Sequence, residues 1–212
     1  MIAMTEHIGP RNIYIIGAQC TGKTTLVRNL SQHPELVLSD NPPTIITEVA
    51  RTVLQEHSFT AQDVIDPIRT LELQRLILQA QYSAEKTALN DNSGTSWFIS
   101  DRSGMDPIVY ARKYVAEELW IALLQSPEWI EMRERMILST VIVCEAGGEA
   151  QNWLVDDGVR LMPQDEEDWI KVDEGFYNLL DREEIPYHVL SSSISGHPER
   201  IEFVVGHWKG AR

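Results

Sequence analysis

The stretch NIYIIGAQCTGKTTLVRNL, residues 12–30, decides the fold of this chain. It opens with a short apolar run, Ile13 to Ile16, of the kind that forms a buried strand. Gly17 to Thr24 then satisfy the pattern G-x-x-x-x-G-K-[ST], and leucine and valine follow at the spacing of an amphipathic helix. A strand, a glycine-rich loop and a helix in this order are the context that a P-loop requires. The stretch therefore predicts a binding site for a nucleoside triphosphate.

The chemistry of such a loop assigns a role to each part of it. Its glycines allow backbone angles that turn successive N–H groups towards phosphate oxygens, and the following helix N-terminus adds partial positive charge. Lys23 is expected to reach the β- and γ-phosphates, and the Thr24 hydroxyl to bind Mg²⁺. The predicted phosphate-binding residues form one continuous segment: Gly17, Ala18, Gln19, Cys20, Thr21, Gly22, Lys23, Thr24 and Thr25.

A second charged group follows a later apolar strand. Residues 97–100 have the composition of a buried strand, and Asp101 and Arg102 come directly after it. An acidic side chain at this position can support Mg²⁺, and an arginine can make forked contacts with a transferred phosphate. The alternative interpretation is a helix-capping aspartate beside a surface arginine. Asp106, which precedes Pro107, is predicted to be the N-cap of the next helix.

Glu48 and Arg51 lie just beyond another predicted strand, Thr44 to Ile46. The carboxyl ends of parallel strands are where an open α/β sheet places its ligand contacts. Glu48 is therefore a candidate for contact with a substrate, although the spacing fits an exposed salt bridge at a helix start equally well. Residues 147–163, which are polar and contain glycine, predict either a mobile lid or a plain surface loop.

Composition narrows the classes of protein that fit. The chain has 212 residues, with 18 Lys and Arg against 32 Asp and Glu, a net charge of −14. This balance argues against a large nucleic-acid interface, which needs a basic face. The two cysteines do not indicate a disulfide framework, so a reducing, cytoplasmic setting is expected. No signal peptide and no membrane span are predicted from the hydropathy.

Five short apolar runs alternate with helical patterns along the chain. This alternation predicts an α/β domain over residues 1–212, with a mainly parallel sheet covered by helices on both faces.

The motifs together resemble the NadR-type nucleotide kinase and AAA-domain family of P-loop proteins, and more loosely the nucleoside and nucleotide kinases. The stretches that carry the resemblance are the P-loop, TEVAR at 47–51, SDRS at 100–103 and DDGVR at 156–160. The resemblance implies a three-layer P-loop fold with sheet order 2-3-1-4-5 and a small lid. It also implies that Glu48 is an acidic substrate contact or base, that Asp101 and Arg102 are the strand-end pair, and that Arg160 lies in the lid.

Two classes of function stay open at this point. The first is an ATP-dependent small-molecule kinase, in which Lys23, Arg102 and Arg160 gather the γ-phosphate with Mg²⁺ and Glu48 orients or deprotonates the acceptor hydroxyl. The second is an ATP- or GTP-binding switch, with slow hydrolysis and a protein or lipid partner. The sequence contains no N-K-x-D guanine-reading motif, which favours ATP over GTP.

Overall fold

The computed structural model describes residues 11–38, 41–60, 63, 66–90, 97–153, 163 and 165–210. Most of these residues lie in helices and strands that alternate along the chain. Among the residues described, no helix is both long and apolar enough to cross a bilayer.

A single parallel sheet forms the centre of the molecule. Its strands are β1 (Ile13–Ile16), β2 (Thr44–Ile46), β3 (Phe98–Asp101), β4 (Thr140–Cys144) and β5 (His188–Leu190). They lie in the order β2-β3-β1-β4-β5, and each pair of neighbouring strands is parallel. The expected order 2-3-1-4-5 is therefore confirmed. Since all five strands run the same way, their carboxyl ends meet at one edge of the sheet.

Helices connect the strands. They are α1 (Lys23–Leu30), α2 (Pro34–Val37), α3 (Val49–Glu56), α4 (Pro67–Asn90), α5 (Met105–Tyr114), α6 (Glu117–Leu124), α7 (Pro127–Ile137), α8 (Glu166–Arg182) and α9 (His197–Gly210). A 3₁₀ helix, Gly148–Trp153, follows β4.

The alternation of side chains along β1 divides the core into two layers. Tyr14 and Ile16 pack with apolar residues of α4, α5, α7 and α8. Ile13 and Ile15 pack on the other face with residues of α1 and α9. Successive strand side chains point to opposite faces, so an uninterrupted apolar strand needs helices on both sides.

The predicted lid at 147–163 falls largely outside the described residues. Its described part includes the 3₁₀ helix Gly148–Trp153 and Pro163. Arg160 lies outside the described residues.

Candidate functional site

The phosphate loop lies between the end of β1 and the start of α1, as the motif predicts. Gly17, Cys20 and Gly22 have positive φ angles of 124°, 60° and 80°. A Cβ atom on Gly17 would lie 2.6 Å from the carbonyl oxygen of Cys144 at the end of β4. Glycine is required there because both the backbone angle and the close approach of β4 exclude a side chain.

Lys23 is buried inside this loop. Its Nζ donates to the carbonyl oxygen of Ala18 and, over 3.3 Å, to Oγ1 of Thr21. Burial, followed by the nearby charge of Arg102, lowers the pKa of Lys23 to about 8. Within the described part of the chain, the ammonium group thus donates hydrogen bonds only to neutral oxygens of its own loop, which is an arrangement that an anionic phosphate would improve.

Thr24 and Asp101 meet beside the loop. The Thr24 hydroxyl donates to Oδ2 of Asp101 over 2.6 Å, and Asp101 is 2% exposed. The other carboxylate oxygen, Oδ1, is buried and has no hydrogen-bond partner among the described residues. A buried, unpartnered carboxylate oxygen next to a hydroxyl is a donor set that fits a hard cation such as Mg²⁺. In the structure Asp101 is the last residue of β3 rather than a helix cap.

Arg102 brings Glu48 and Asp106 together. Its Nε donates to Oε1 of Glu48 over 2.7 Å, and its Nη1 to Oδ1 of Asp106 over 3.1 Å. Burial opposes the charge on this guanidinium, but Glu48 and then Asp106 raise the pKa of Arg102 well above its ordinary value. The three side chains therefore form a buried charged cluster, which we call the Glu48 cluster, next to the phosphate loop.

The backbone and the second arginine fix the direction of the Glu48 carboxylate. Arg102 has a φ of 87°, and its N–H donates to the carbonyl oxygen of Ile15 over 2.9 Å. Arg51 donates to the second carboxylate oxygen of Glu48 over 3.0 Å. The Glu48 side chain is only 8% exposed, while that of Arg51 is 42% exposed. The salt bridge that the sequence allowed is thus present, with its acidic partner buried at the sheet edge.

The prediction that Asp106 is an N-cap is wrong. Helix α5 begins at Met105 with Gly104 as its N-cap, so Asp106 lies inside the first turn. Its Oδ2 accepts the backbone N–H and the hydroxyl of Ser103. The carboxylate is drawn to Arg102 and Ser103 on the preceding segment, because an unpaired buried charge there would cost far more than a missing cap.

Several side chains that form hydrogen bonds with the phosphate loop were not predicted from the sequence. Tyr110 donates to Oε1 of Gln19 over 2.7 Å, and the indole of Trp169 donates to the carbonyl oxygen of Gln19 over 2.8 Å. Arg200 donates to the carbonyl oxygen of Thr21 over 2.9 Å, and Asp173 accepts the N–H of Ala18. They come from α5, α8 and α9, so only the tertiary fold brings them to the loop. The sequence contains one indication for Asp173. Its spacing from Trp169 and Phe176 places the three residues on the same, otherwise apolar face of a helix, where a carboxylate needs a partner.

A cavity of about 590 Å³ opens along the start of α1. Its wall includes Lys23, Thr24, Thr25, Arg28, Trp153 and Arg200. Arg200 lies over the Trp153 ring at 5.1 Å, and the same ring packs against Gly22. The wall of the cavity thus contains both cationic side chains and an aromatic ring. A nucleotide has an anionic phosphate chain and a flat base, and these are the groups that such a wall can contact.

Comparison with known families decides the classification. A family model described as an AAA domain matches residues 12–200. The chain belongs to this family of P-loop proteins. No curated protein matches the sequence. The matched residues include all five strands of the sheet, the phosphate loop and the Glu48 cluster.

Solved structures agree with this classification at the level of the fold. A NadR protein in complex with NR is similar over 96% of this chain and 52% of its own, with a TM-score of 0.71 and 22% identity. A NadR protein in complex with NAD and AMP-PNP matches with a TM-score of 0.61 and 17% identity, over 96% of this chain and 50% of its own. The chain thus spans about half the length of these NadR proteins. Deoxyadenosine kinase from M. mycoides with bound dATP matches over 94% of this chain and 99% of its own, with a TM-score of 0.63 and 18% identity. The fold is therefore that of a P-loop nucleoside or nucleotide kinase.

Proposed function

We propose that this protein is an ATP-dependent kinase that transfers the γ-phosphoryl group to a hydroxyl of a nucleoside-like or related small metabolite. The observation that carries the proposal is the position of the Glu48 cluster beside the phosphate loop. Arg102 follows β3, which pairs with β1, and its backbone N–H donates a hydrogen bond to the carbonyl oxygen of Ile15 in β1. A carboxylate fixed next to a triphosphate site is what an acceptor hydroxyl requires.

The phosphate loop and the cavity beside it would hold ATP. Lys23 exchanges its contacts with neutral loop oxygens for the β- and γ-phosphates, and the triphosphate lies along the loop and the start of α1. Thr24 and Asp101 would hold Mg²⁺, since the unpartnered Oδ1 of Asp101 suits that ion. When bound, the ion supplies neutralisation of negative charge on the phosphates.

Glu48 would act on the acceptor. Its two arginine partners keep the carboxylate in a single orientation, so that an oxygen can accept a hydrogen bond from the acceptor hydroxyl. The hydroxyl oxygen then forms a bond to the γ-phosphorus while the bond to the β–γ bridging oxygen breaks. The hydroxyl proton passes to the Glu48 carboxylate and ADP leaves. Arg102 positions Glu48, and its guanidinium, whose charge acts on Lys23 of the loop, would stabilise charge on the phosphoryl group.

The proposed class of substrate is taken from the ligands of the similar solved structures. The similar NadR structures are complexes with NR or with NAD and AMP-PNP, and the deoxyadenosine kinase structure contains dATP. We extend to this chain only the class of a nucleoside-like acceptor. We also propose that the chain is a single domain with a lid at about 147–163 that carries Arg160 towards the transferred phosphate.

A screen of hydroxylated metabolites tests this function directly. The protein is incubated with Mg²⁺ and ATP, and ADP release is measured with each acceptor, with products identified by mass. We expect ADP release that depends on one class of acceptor, and a product heavier than that acceptor by one phosphoryl group. A nucleotide switch would instead show no acceptor dependence and a partner that binds only the ATP form, and that result would contradict the kinase proposal.

A further inference from the structure

A single buried carboxylate ties the phosphate loop to the neighbouring strand. Asp173 lies in the middle of α8 and is 3% exposed. Its Oδ1 accepts the N–H of Ala18 over 3.2 Å, and its Oδ2 accepts the N–H of Ala146 over 2.5 Å. Each carboxylate oxygen therefore holds one backbone donor, and the two donors belong to different segments.

One of the two segments is the phosphate loop, and the other leads to a residue in the wall of the cavity beside that loop. Ala18 is the second residue of the phosphate loop, and its carbonyl oxygen is the acceptor for Lys23. Ala146 follows β4 and leads into the 3₁₀ helix whose last residue, Trp153, lines the cavity. Trp169, one turn before Asp173, reaches the next residue of the loop through the carbonyl oxygen of Gln19. Helix α8 thus contacts the loop at two consecutive residues.

Among the described residues no lysine or arginine forms a salt bridge with Asp173. Its carboxylate accepts the backbone N–H groups of Ala18 and Ala146, and the charge of Lys23 acts on it from a greater distance. Burial raises the pKa of Asp173 to about 6, although both backbone hydrogen bonds and the charge of Lys23 lower it. A buried acid without a cationic partner reduces folding stability, and such perturbed groups concentrate at functional sites.

The ionisable groups around Asp173 come from each neighbouring element. Lys23 faces it from α1, Cys144 and Glu145 from the end of β4, and Tyr177 from one turn further along α8. Helix α5 also packs against α8 and carries several ionisable groups along that contact. Tyr110 donates its hydroxyl to Gln19, Lys113 is paired with Asp168, Tyr114 lies near Asp168, and Arg112 lines the groove between the two helices.

We propose that Asp173 is a positioning residue for the nucleotide site, whose ionised carboxylate holds the Ala18 and Ala146 N–H groups in the arrangement that binds ATP, and whose protonation releases one of them. A protonated carboxyl keeps one acceptor oxygen but turns the other into a hydroxyl, so one of the two N–H groups loses its charged acceptor. The inference rests on the proposed binding of ATP and adds a regulator of that same site.

The sign of the pH effect distinguishes this role from simple support of the fold. The folded-state pKa is about 6, above the ordinary 3.8. Folding therefore favours the protonated form, and Asp173 contributes more stability as the pH falls from 6 towards 4. ATP affinity should change in the opposite direction. At pH 5 about one tenth of the molecules keep the ionised form, so affinity should fall about tenfold.

Two measurements test the proposal. First, the backbone amide resonances of Ala18 and Ala146 are followed by NMR in the nucleotide-free wild-type protein. Second, binding of a non-hydrolysable ATP analogue with Mg²⁺ is measured by calorimetry at pH 7.5 and pH 5 for the wild type, Asp173→Asn and Glu174→Gln. Glu174 is the exposed neighbour of Asp173 on α8 and serves as the matched control. The phosphates of the analogue titrate in the same range, and this contribution is common to all three proteins.

We expect both amide resonances to shift with a common midpoint near pH 6. The wild type and Glu174→Gln should lose about tenfold more affinity between pH 7.5 and pH 5 than Asp173→Asn does, because Asp173→Asn already binds weakly at pH 7.5. Amide resonances that do not titrate, or equal losses of affinity in all three proteins, would overturn the role of Asp173. A third outcome is that the amide resonances titrate but the wild-type protein binds the analogue at neither pH. That outcome would contradict the proposed kinase function, and with it a role for Asp173 in ATP binding.

Discussion

At the scale of single residues, two groups of the site, Lys23 and Oδ1 of Asp101, have no oppositely charged partner in direct contact among the described residues. Lys23 is buried against neutral oxygens, and Oδ1 of Asp101 has no partner within the described residues. Such groups reduce the stability of the free protein and are satisfied by ligands of opposite charge. The binding of Mg²⁺ and ATP would remove this cost, so the unfavourable free energy of the two groups in the free protein adds to its affinity for these ligands.

Lys23→Met tests this relation at the cation. The variant should bind ATP more weakly by about 2 kcal/mol, the scale of a lost hydrogen bond to a charged group. Its nucleotide-free form should unfold at a higher temperature at pH 7, because the buried charge is gone. The folded-state pKa is about 8 against an ordinary 10.5, so wild-type Lys23 reduces stability below pH 8, and this penalty disappears towards pH 10.5. Calorimetry and thermal unfolding at pH 7 and pH 10 measure both effects. An Lys23→Met protein with lower stability at pH 7 would refute the argument.

Asp101→Asn tests the metal-supporting carboxylate. An amide keeps the hydrogen bond from Thr24 but lowers the negative charge at the predicted Mg²⁺ site. The Mg²⁺ concentration needed for half-maximal ATP binding should rise by at least about tenfold, since the loss of even an outer-shell partner of a metal costs about that much. Asp181→Asn, at an exposed position of α8, is the control and should titrate like the wild type. Identical Mg²⁺ curves for the two variants would remove Asp101 from the metal site.

At the scale of elements, the close approach of β1 and β4 shapes the phosphate loop. Gly17 has a φ of 124° and lies against the Cys144 carbonyl, so the loop starts its turn directly on β4. The sequence predicted the loop from its motif but could not predict this contact, which depends on strand pairing across 127 residues of sequence.

A comparison of Gly17→Ala with the control Gly206→Ala tests whether β4 constrains the phosphate loop. Gly17→Ala should destabilise the protein by roughly 2 kcal/mol or more, because a Cβ atom would meet a backbone oxygen at a strained φ. Gly206 lies in α9 with nothing within 4 Å of its added Cβ, so Gly206→Ala should stabilise the protein by about 0.5 to 1 kcal/mol. Denaturant unfolding measures both. Equal stabilities would show that β4 does not constrain the loop.

The proposed lid gives a second prediction at this scale. Arg160→Ala should reduce turnover by about 100-fold, the scale of a mobile arginine that stabilises a transferring phosphoryl group. ATP affinity should change little, since Lys23 and the loop amides supply most of the ground-state contacts. Arg112→Ala, on α5, is a control for general loss of positive charge. An equal effect of Arg160→Ala on affinity and on turnover would assign Arg160 to ATP binding instead.

At the scale of the whole molecule, the parallel sheet gathers distant segments at one edge. The apolar runs predicted as strands at 13–16, 44–46 and 97–100 form β1, β2 and β3, the last with bounds shifted by one residue. Glu117–Leu124 and Pro127–Ile137 are two separate helices, because Ser126 and Pro127 begin a new one. What the sequence could not predict depends on the tertiary fold. Asp106 pairs with Arg102 instead of capping α5, and Asp173 reaches the loop from α8.

The central claim is that the molecule transfers a phosphoryl group, and isotope labelling tests it most directly. ATP carrying ¹⁸O at the three terminal non-bridging oxygens of its γ-phosphate is supplied with Mg²⁺ and the acceptor that the screen identifies, and the products are resolved by mass spectrometry. A kinase with Glu48 at the acceptor should place all three labelled oxygens on the acceptor in the wild type. Glu48→Gln should bind ATP normally and lose this product. Recovery of the label only in inorganic phosphate, unchanged by Glu48→Gln, would contradict the kinase proposal.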